Sequence, residues 1–283
     1  MSVKLNTGYE IPLIGLGTYK IIGEEVLPVL DRALTAGYRL FDTAKVYNNE
    51  EAIGEALEVL LPKHGLRRED VHIITKLHPN NEEKVMELVE ESLRLLKTSY
   101  IDTYLIHYPK SFDYSDDDPT NAKLRKLTYV TLNQCKHQGK IRSIGVSSYE
   151  ISHLEEIREY GEVAAPCCNQ VEYHPHFTRV ELKKYCDENN IFFQAFSSLA
   201  RHNETLLAAT EISGLAEKYH VPKTTILLSW ATSQRVGIIP KSTNSERLSQ
   251  NLKTVQLEEQ EVKKISELNL DKNYVRTTGW LVL

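Results

Sequence analysis

Eight short runs rich in β-branched and aromatic residues alternate with amphipathic helical stretches along the whole chain, and this alternation constrains the fold more than any other feature. The runs cover residues 14–18, 38–42, 71–76, 101–107, 141–147, 167–172, 191–196 and 236–240. The stretches between or after them, at 24–36, 49–61, 82–96, 124–138, 152–160, 179–189, 223–234 and 245–252, carry apolar residues at helical spacing. In 82–96, for example, Val85, Leu88, Val89, Leu93 and Leu96 share one face. Eight strand-helix units with no long linker and no shift in composition predict an α/β fold, one (β/α)8 TIM barrel domain over residues 1–283. A doubly wound open sheet is the other arrangement such a pattern allows, and it would usually carry G-x-G-x-x-G after its first strand. Gly15-Leu-Gly-Thr-Tyr-Lys20 begins that way but lacks the third glycine and an immediate helix.

Ahead of the first run, Val3-Lys-Leu5 and Glu10-Ile-Pro12 flank Asn6-Thr-Gly8, which predicts a β-hairpin plugging the bottom of the barrel. Three segments break the regularity: 110–121, 199–215 with a short helix, and the tail after Asp271. Each follows a strand or ends the chain, so each is expected as an extra loop or short helix on or near the C-terminal face.

Composition excludes several functions. The chain is 41% apolar and 26% charged, which is globular rather than disordered. A net charge of −5 with scattered basic residues provides no field for nucleic acid or anionic lipid. No signal-like start and no run of 18 apolar residues are present, so the chain is expected to be cytoplasmic, neither exported nor membrane-spanning. Cys135, Cys167, Cys168 and Cys186 form no C-x-x-C pair, and adjacent Cys167 and Cys168 are expected on opposite faces of a strand. Reduced thiols and no metal follow.

In a barrel of this kind, chemistry belongs to polar groups at the C-terminal strand ends. Asp42, Lys76 and His107 each stand two residues after an apolar strand position, Leu40, Ile74 and Leu105, so the period of two points all three at the barrel axis. Tyr47, five residues past Asp42, is close enough to fold over the same mouth. A lysine ammonium beside a tyrosine oxygen is expected to lower the phenol's pKa, and Asp42 would hold the lysine charged. His107 would donate to a carbonyl oxygen. Singly, these residues also read as a turn cap, a surface charge, a barrel histidine and packing; the convergence of four favours chemistry.

Asp42-Thr-Ala-Lys-Val-Tyr-Asn-Asn-Glu50, Thr75-Lys-Leu77 and Leu105-Ile-His-Tyr-Pro109 resemble the signatures of the aldo-keto reductases. The resemblance covers nearly the whole chain. It implies an NADPH-dependent carbonyl reductase with Asp42, Tyr47, Lys76 and His107 as the catalytic tetrad, Tyr47 giving the proton and the nicotinamide the hydride. Ile239-Pro-Lys-Ser-Thr-Asn-Ser-Glu-Arg-Leu-Ser-Gln-Asn251 holds Lys241, Ser242 and Arg247, which with the amides of the following helix make an anion site. By the resemblance that anion is the 2′-phosphate of NADPH. Thr243, Asn244, Gln250 and Asn251 are implied to line the adenine end, with Gln250 where many members have glutamate.

Asn169-Gln-Val-Glu-Tyr-His-Pro175 resembles the family's sixth-strand motif, so Gln170 is implied to bind the carboxamide with Ser147. Ser148 replaces an amide there. Phe196 stands where a tyrosine commonly stacks on the nicotinamide, and Ser197, Leu199, Thr18, Tyr19 and Asp42 complete the implied cofactor set. The substrate wall is implied to contain Tyr19, Val46, Tyr47, His78, His107, Tyr108 and Trp280. His78 and Tyr108 occupy places where many members have tryptophan, which implies a roomier and more polar pocket. Small aldehydes, dicarbonyls and bulkier ketones are all compatible, with the protein acting as a monomer. Two other classes remain at this level: an NADPH-binding structural or redox-sensing protein with little turnover, and a phosphate-binding barrel lyase that uses Lys76 as a Schiff base.

Overall fold

The structure is a computed structural model that describes residues 1–275 and 282–283. Trp280 lies outside the described residues. Eight parallel strands pair in chain order: β3 (Leu16–Gly17), β4 (Leu40–Asp42), β5 (His72–Leu77), β6 (Ile101–Ile106), β7 (Ile141–Ser147), β8 (Cys168–Glu172), β9 (Phe192–Phe196) and β10 (Gly237–Ile238). Ile14 bridges Ile238, Gly15 N–H donates to the Ile238 carbonyl at 2.8 Å, and Ile238 N–H donates to that of Leu13 at 2.9 Å. These contacts close the sheet into a barrel. At the seam a Cβ on Gly17 would meet the Ile239 carbonyl oxygen at 2.6 Å, so only glycine lets the first and last strands approach this closely.

Alternation along the strands sorts two cores. Leu40, Ile74 and Leu105 point inward, where they pack with Leu5, Ile11 and Leu13 of the N-terminal segment. Phe41, Ile73, Leu77, Tyr104 and Ile106 point outward and pack under the helices. The antiparallel pair β1 (Ser2–Lys4) and β2 (Glu10–Pro12) forms the expected hairpin, and its neighbouring apolar residues seal the inner core.

The helices are α1 (Val26–Ala36), α2 (Glu50–Lys63), α3 (Glu82–Leu95), α4 (Thr120–His137), α5 (Ile151–Arg158), α6 (Val180–Glu188), α7 (Glu204–Ala208), α8 (Thr210–Tyr219), α9 (Lys223–Ser233), α10 (Ser245–Asn251) and α11 (Glu259–Ser266). Three features differ from the sequence reading. α4 begins four residues before the expected Leu124, because the Asp118 carboxylate accepts Thr120 N–H at 2.8 Å and starts the helix early. The single short helix expected within 199–215 is two helices, α7 and α8, separated by extended backbone at Ala209. α11 was not expected; its N-terminus is set by Glu258 and Glu261 in a reciprocal capping box. Cys167 and Cys168 are both buried against the inner core, and Cys167 is held in the ladder, its N–H donating to the Ile144 carbonyl at 2.7 Å and its carbonyl accepting from Phe192 N–H at 2.9 Å. Among the described residues no helix is long and apolar enough to cross a membrane, and no His, Cys, Asp and Glu cluster has a metal-binding arrangement.

Candidate active site

The C-terminal strand ends bring together the residues that alternation selected. Asp42 ends β4, Lys76 lies on β5, and His107 follows β6. Lys76 Nζ donates to Asp42 Oδ1 at 2.6 Å and to the Thr43 carbonyl at 2.8 Å. Gln170 Nε2 donates to the other carboxylate oxygen at 2.7 Å and to Gln194 Oε1 at 2.9 Å. The pair is fully enclosed, with Lys76 at 0% and Asp42 at 2% exposure. Burial acts against both charges, raising the Asp42 pKa and lowering that of Lys76, while each charge supports the other.

Tyr47 lies in the single turn Lys45–Tyr47 just past β4, which folds its ring over this pair. Its centroid is 5.2 Å from Lys76 Nζ, 5.1 Å from the Tyr19 ring, and 5.7 Å from the His107 ring, which it meets edge-on. The expected lowering of its pKa by Lys76 is not what the structure gives. Burial pushes the phenol upward, the Asp42 charge adds to this, and two of the three Lys76 protons are directed at Asp42 and Thr43. Tyr47 therefore keeps its proton across the ordinary pH range.

Burial holds His107 well below the usual imidazole pKa, and the charge of Lys76 lowers it further. The neutral ring has one proton to place. His107 Nδ1 is buried with no hydrogen-bond partner, and a buried N–H without an acceptor costs more than a bare lone pair, so the proton belongs on Nε2. His107 is thus a donor through Nε2.

Asn49, which sequence reasoning did not assign, holds the first two strand ends in register. It donates to the Thr18 carbonyl at 3.0 Å, to Thr18 Oγ1 at 3.2 Å and to the Ile21 carbonyl at 2.9 Å, and accepts from Thr43 Oγ1 at 2.5 Å. Gln194 and Phe112 were also missed. Gln194 shares Gln170 and leaves its own Nε2 buried and unpartnered, while Phe112 stacks on His78 with centroids 3.9 Å apart. Gln194 was legible as a polar residue two positions before Phe196; Phe112 carried no signal beyond lying in an irregular segment.

The remaining named residues fall into two groups. Around the mouth, Thr18, Ser147 and Ser148 are buried, Phe196, Ser197, Leu199, His78 and Tyr108 are half-buried, and Tyr19 and Val46 are exposed. Ser147 pairs with Gln170 in the sheet, and Ser148, at φ +58°, donates its N–H to the Gln170 carbonyl at 2.9 Å. Burial pushes the Tyr108 phenol up to about 12. The second group follows β10 and is joined to the mouth where Gly17 N–H meets the Pro240 carbonyl at 3.3 Å. There Lys241, Asn244 and Arg247 are exposed, Thr243 and Gln250 are half-buried, and Ser242 and Asn251 are buried.

Asn244 caps α10 by accepting from Arg247 N–H at 3.0 Å, so that amide is satisfied within the protein. Among the described residues no carboxylate pairs with the side chain of Lys241 or Arg247. The buried Tyr38 hydroxyl beneath α10 donates to the Leu248 carbonyl at 3.1 Å.

Comparison with known proteins gives this arrangement its family. The aldo/keto reductase family description matches residues 13–270. The chain belongs to the aldo/keto reductase family. It is 34% identical to the glyoxal reductase of Bacillus subtilis (strain 168) over 276 residues, covering 96% of this chain and 94% of that protein. A crystal structure of MGS-M4, an aldo-keto reductase enzyme from a Medee basin deep-sea metagenome library, superposes with TM-score 0.88 at 34% identity, covering 98% of each chain. An aldo-keto reductase of Bombyx mori, solved in complex with NADP, gives TM-score 0.88 at 28% identity over 99% of this chain and 96% of that one.

As a member of this family the protein is an oxidoreductase that works on small carbonyl compounds with a nicotinamide cofactor. The residues present suit such a cofactor. The Ser147 hydroxyl offers a donor and Gln170 Oε1 an acceptor for a carboxamide, since both Gln170 Nε2 hydrogens are held by Asp42 and Gln194; Phe196 offers a ring face, and Lys241 and Arg247 offer cations for phosphate.

Proposed function

We propose that this aldo/keto reductase reduces aldehydes and ketones to alcohols with NADPH, with Tyr47 as the proton donor and Asp42, Lys76 and His107 completing the site. The observation that carries this reading is the enclosed Asp42–Lys76 pair beneath Tyr47 and beside a neutral His107. When bound, the nicotinamide supplies hydride to the carbonyl carbon. His107 Nε2–H and the Tyr47 hydroxyl both donate to the carbonyl oxygen, which orients it and draws off the charge that develops there. Tyr47 then gives up its proton to that oxygen. The ammonium of Lys76 stands near the phenolate so formed, and Asp42 keeps that ammonium charged in a buried setting.

Thr18, Tyr19, Ser147, Ser148, Gln170, Phe196, Ser197 and Leu199 would receive the nicotinamide half, and Lys241, Ser242, Thr243, Asn244, Arg247, Gln250 and Asn251 the adenosine half. NADPH is favoured over NADH because the two unpaired cations suit a phosphate of nearly two negative charges. Tyr19, Val46, His78 and Tyr108 would form the substrate wall. The four cysteines are unpaired and buried, which suits a reducing, cytoplasmic setting for one catalytic domain.

NADPH consumption measured against aldehydes, dicarbonyls, quinones and keto-steroids tests the reading. Turnover with several aldehydes is expected. Tight NADPH binding without turnover of any carbonyl would replace it with a sensing or structural role.

A further inference from the structure

His78 directly follows β5, two residues after Lys76, and its side chain turns to the same mouth as His107. Its ring lies 5.1 Å from that of His107 and is half-buried, covered on one side by Phe112. Its Nδ1 is 3.2 Å from the Lys110 carbonyl oxygen. A carbonyl only accepts, so Nδ1 carries the proton. Burial keeps the ring's pKa below its usual value, which leaves it neutral and its Nε2 with a bare lone pair. Two neighbouring histidines therefore offer opposite groups to the pocket: His107 a donor, His78 an acceptor.

We propose that His78 is a specificity-determining hydrogen-bond acceptor that selects carbonyl compounds bearing a hydroxyl on the carbon next to the carbonyl. This rests on the assignment of Tyr47 and His107 as the groups holding the carbonyl oxygen. With that oxygen accepting from His107 Nε2–H and the two rings 5.1 Å apart, a hydroxyl on the adjacent carbon would be placed to donate to His78 Nε2. A methyl group in its place leaves the acceptor without a partner, and a site built to bond a hydroxyl discriminates against its absence.

Hydroxyacetone and butanone differ by this one exchange. Their kcat/KM values with NADPH, measured for the wild type, His78→Phe and His78→Gln, give a ratio from which intrinsic ketone reactivity and any general loss of activity cancel between variants. The wild type is expected to favour hydroxyacetone. His78→Phe, which keeps an aromatic ring against Phe112, should reduce the ratio by about tenfold, the scale of one neutral hydrogen bond. His78→Gln, whose Oε1 reaches near the place of Nε2, should restore part of it. Turnover of both ketones with the same ratio in the wild type and His78→Phe overturns the role of His78 while leaving the reductase reading intact. Failure of the wild type to reduce any carbonyl overturns that reading and this one together.

Discussion

At Tyr47, the proposed proton donor, the environment keeps the phenol proton in place by burial and by the charge of Asp42. Replacing it with Phe preserves the ring that packs against Tyr19 and His107 while removing the donor. Tyr47→Phe should lower kcat by several orders of magnitude with NADPH affinity retained, because the lost interaction matters in the transition state. Stopped-flow turnover and a cofactor titration check this, and near wild-type kcat would remove Tyr47 from the mechanism. Lys76→Met should act on two quantities. It leaves Asp42 buried with only Gln170 as a side-chain partner, a change expected to cost about 3–5 kcal/mol of stability. It also removes the charge that stabilises a Tyr47 phenolate, so the pH profile of kcat should move. Unchanged denaturation midpoint and pH profile would contradict the pairing. The identity of these residues was legible because a period of two allows few polar positions at the axis. The direction of the Tyr47 pKa was not, since depth of burial and the aim of the Lys76 protons are properties of the packed mouth.

Among elements, the segment from β10 into α10 carries the clearest separable task. Its helix start is satisfied internally by Asn244, so attraction for a phosphate falls to the side chains of Lys241 and Arg247. Each charge-assisted contact is expected to contribute about 1.5–3 kcal/mol, or roughly tenfold to a hundredfold in affinity. The Lys241→Ala, Arg247→Ala double variant should bind NADPH and NADH about equally, and in the wild type the NADPH preference should weaken as salt rises, because both groups are exposed. Fluorescence titration with both cofactors decides it; a full NADPH advantage in the double variant would place the phosphate site elsewhere. The strand and helix order was readable from periodicity, as β3 to β10 show. What escaped was set by capping and kinks: the Asp118 start of α4, the extended Ala209 that separates α7 from α8, and the Glu258–Glu261 box that starts α11.

Across the whole molecule the two ends of the barrel have different duties, and the N-terminal end is built for stability. There Asp102, 4% exposed, pairs with Arg68 at 2.7 Å and Arg142 at 3.0 Å and accepts Ile73 N–H at 3.0 Å. His72 lies beside this network, 2.9 Å from Thr103 Oγ1 through Nε2. Burial lowers its pKa to about 4, against a partial opposing pull from Asp102. A base whose folded pKa is depressed is neutral in the native state while the unfolded chain still takes up a proton, so the unfolded state binds more protons between about pH 4 and 6.5. Stability from this group is therefore complete above about pH 6.5 and falls as the pH drops toward 4. From the size of the shift, the loss at pH 5 is about 2 kcal/mol. His78, His107, His153 and His176 are shifted in the same direction by burial, so the wild type should lose stability over this range by more than His72 alone explains. His72→Gln can keep a hydrogen bond to Thr103 but has no proton to gain. Urea unfolding at about pH 7 and pH 5 should show a smaller drop in the variant than in the wild type, and equal drops would mean that His72 titrates normally in the folded protein.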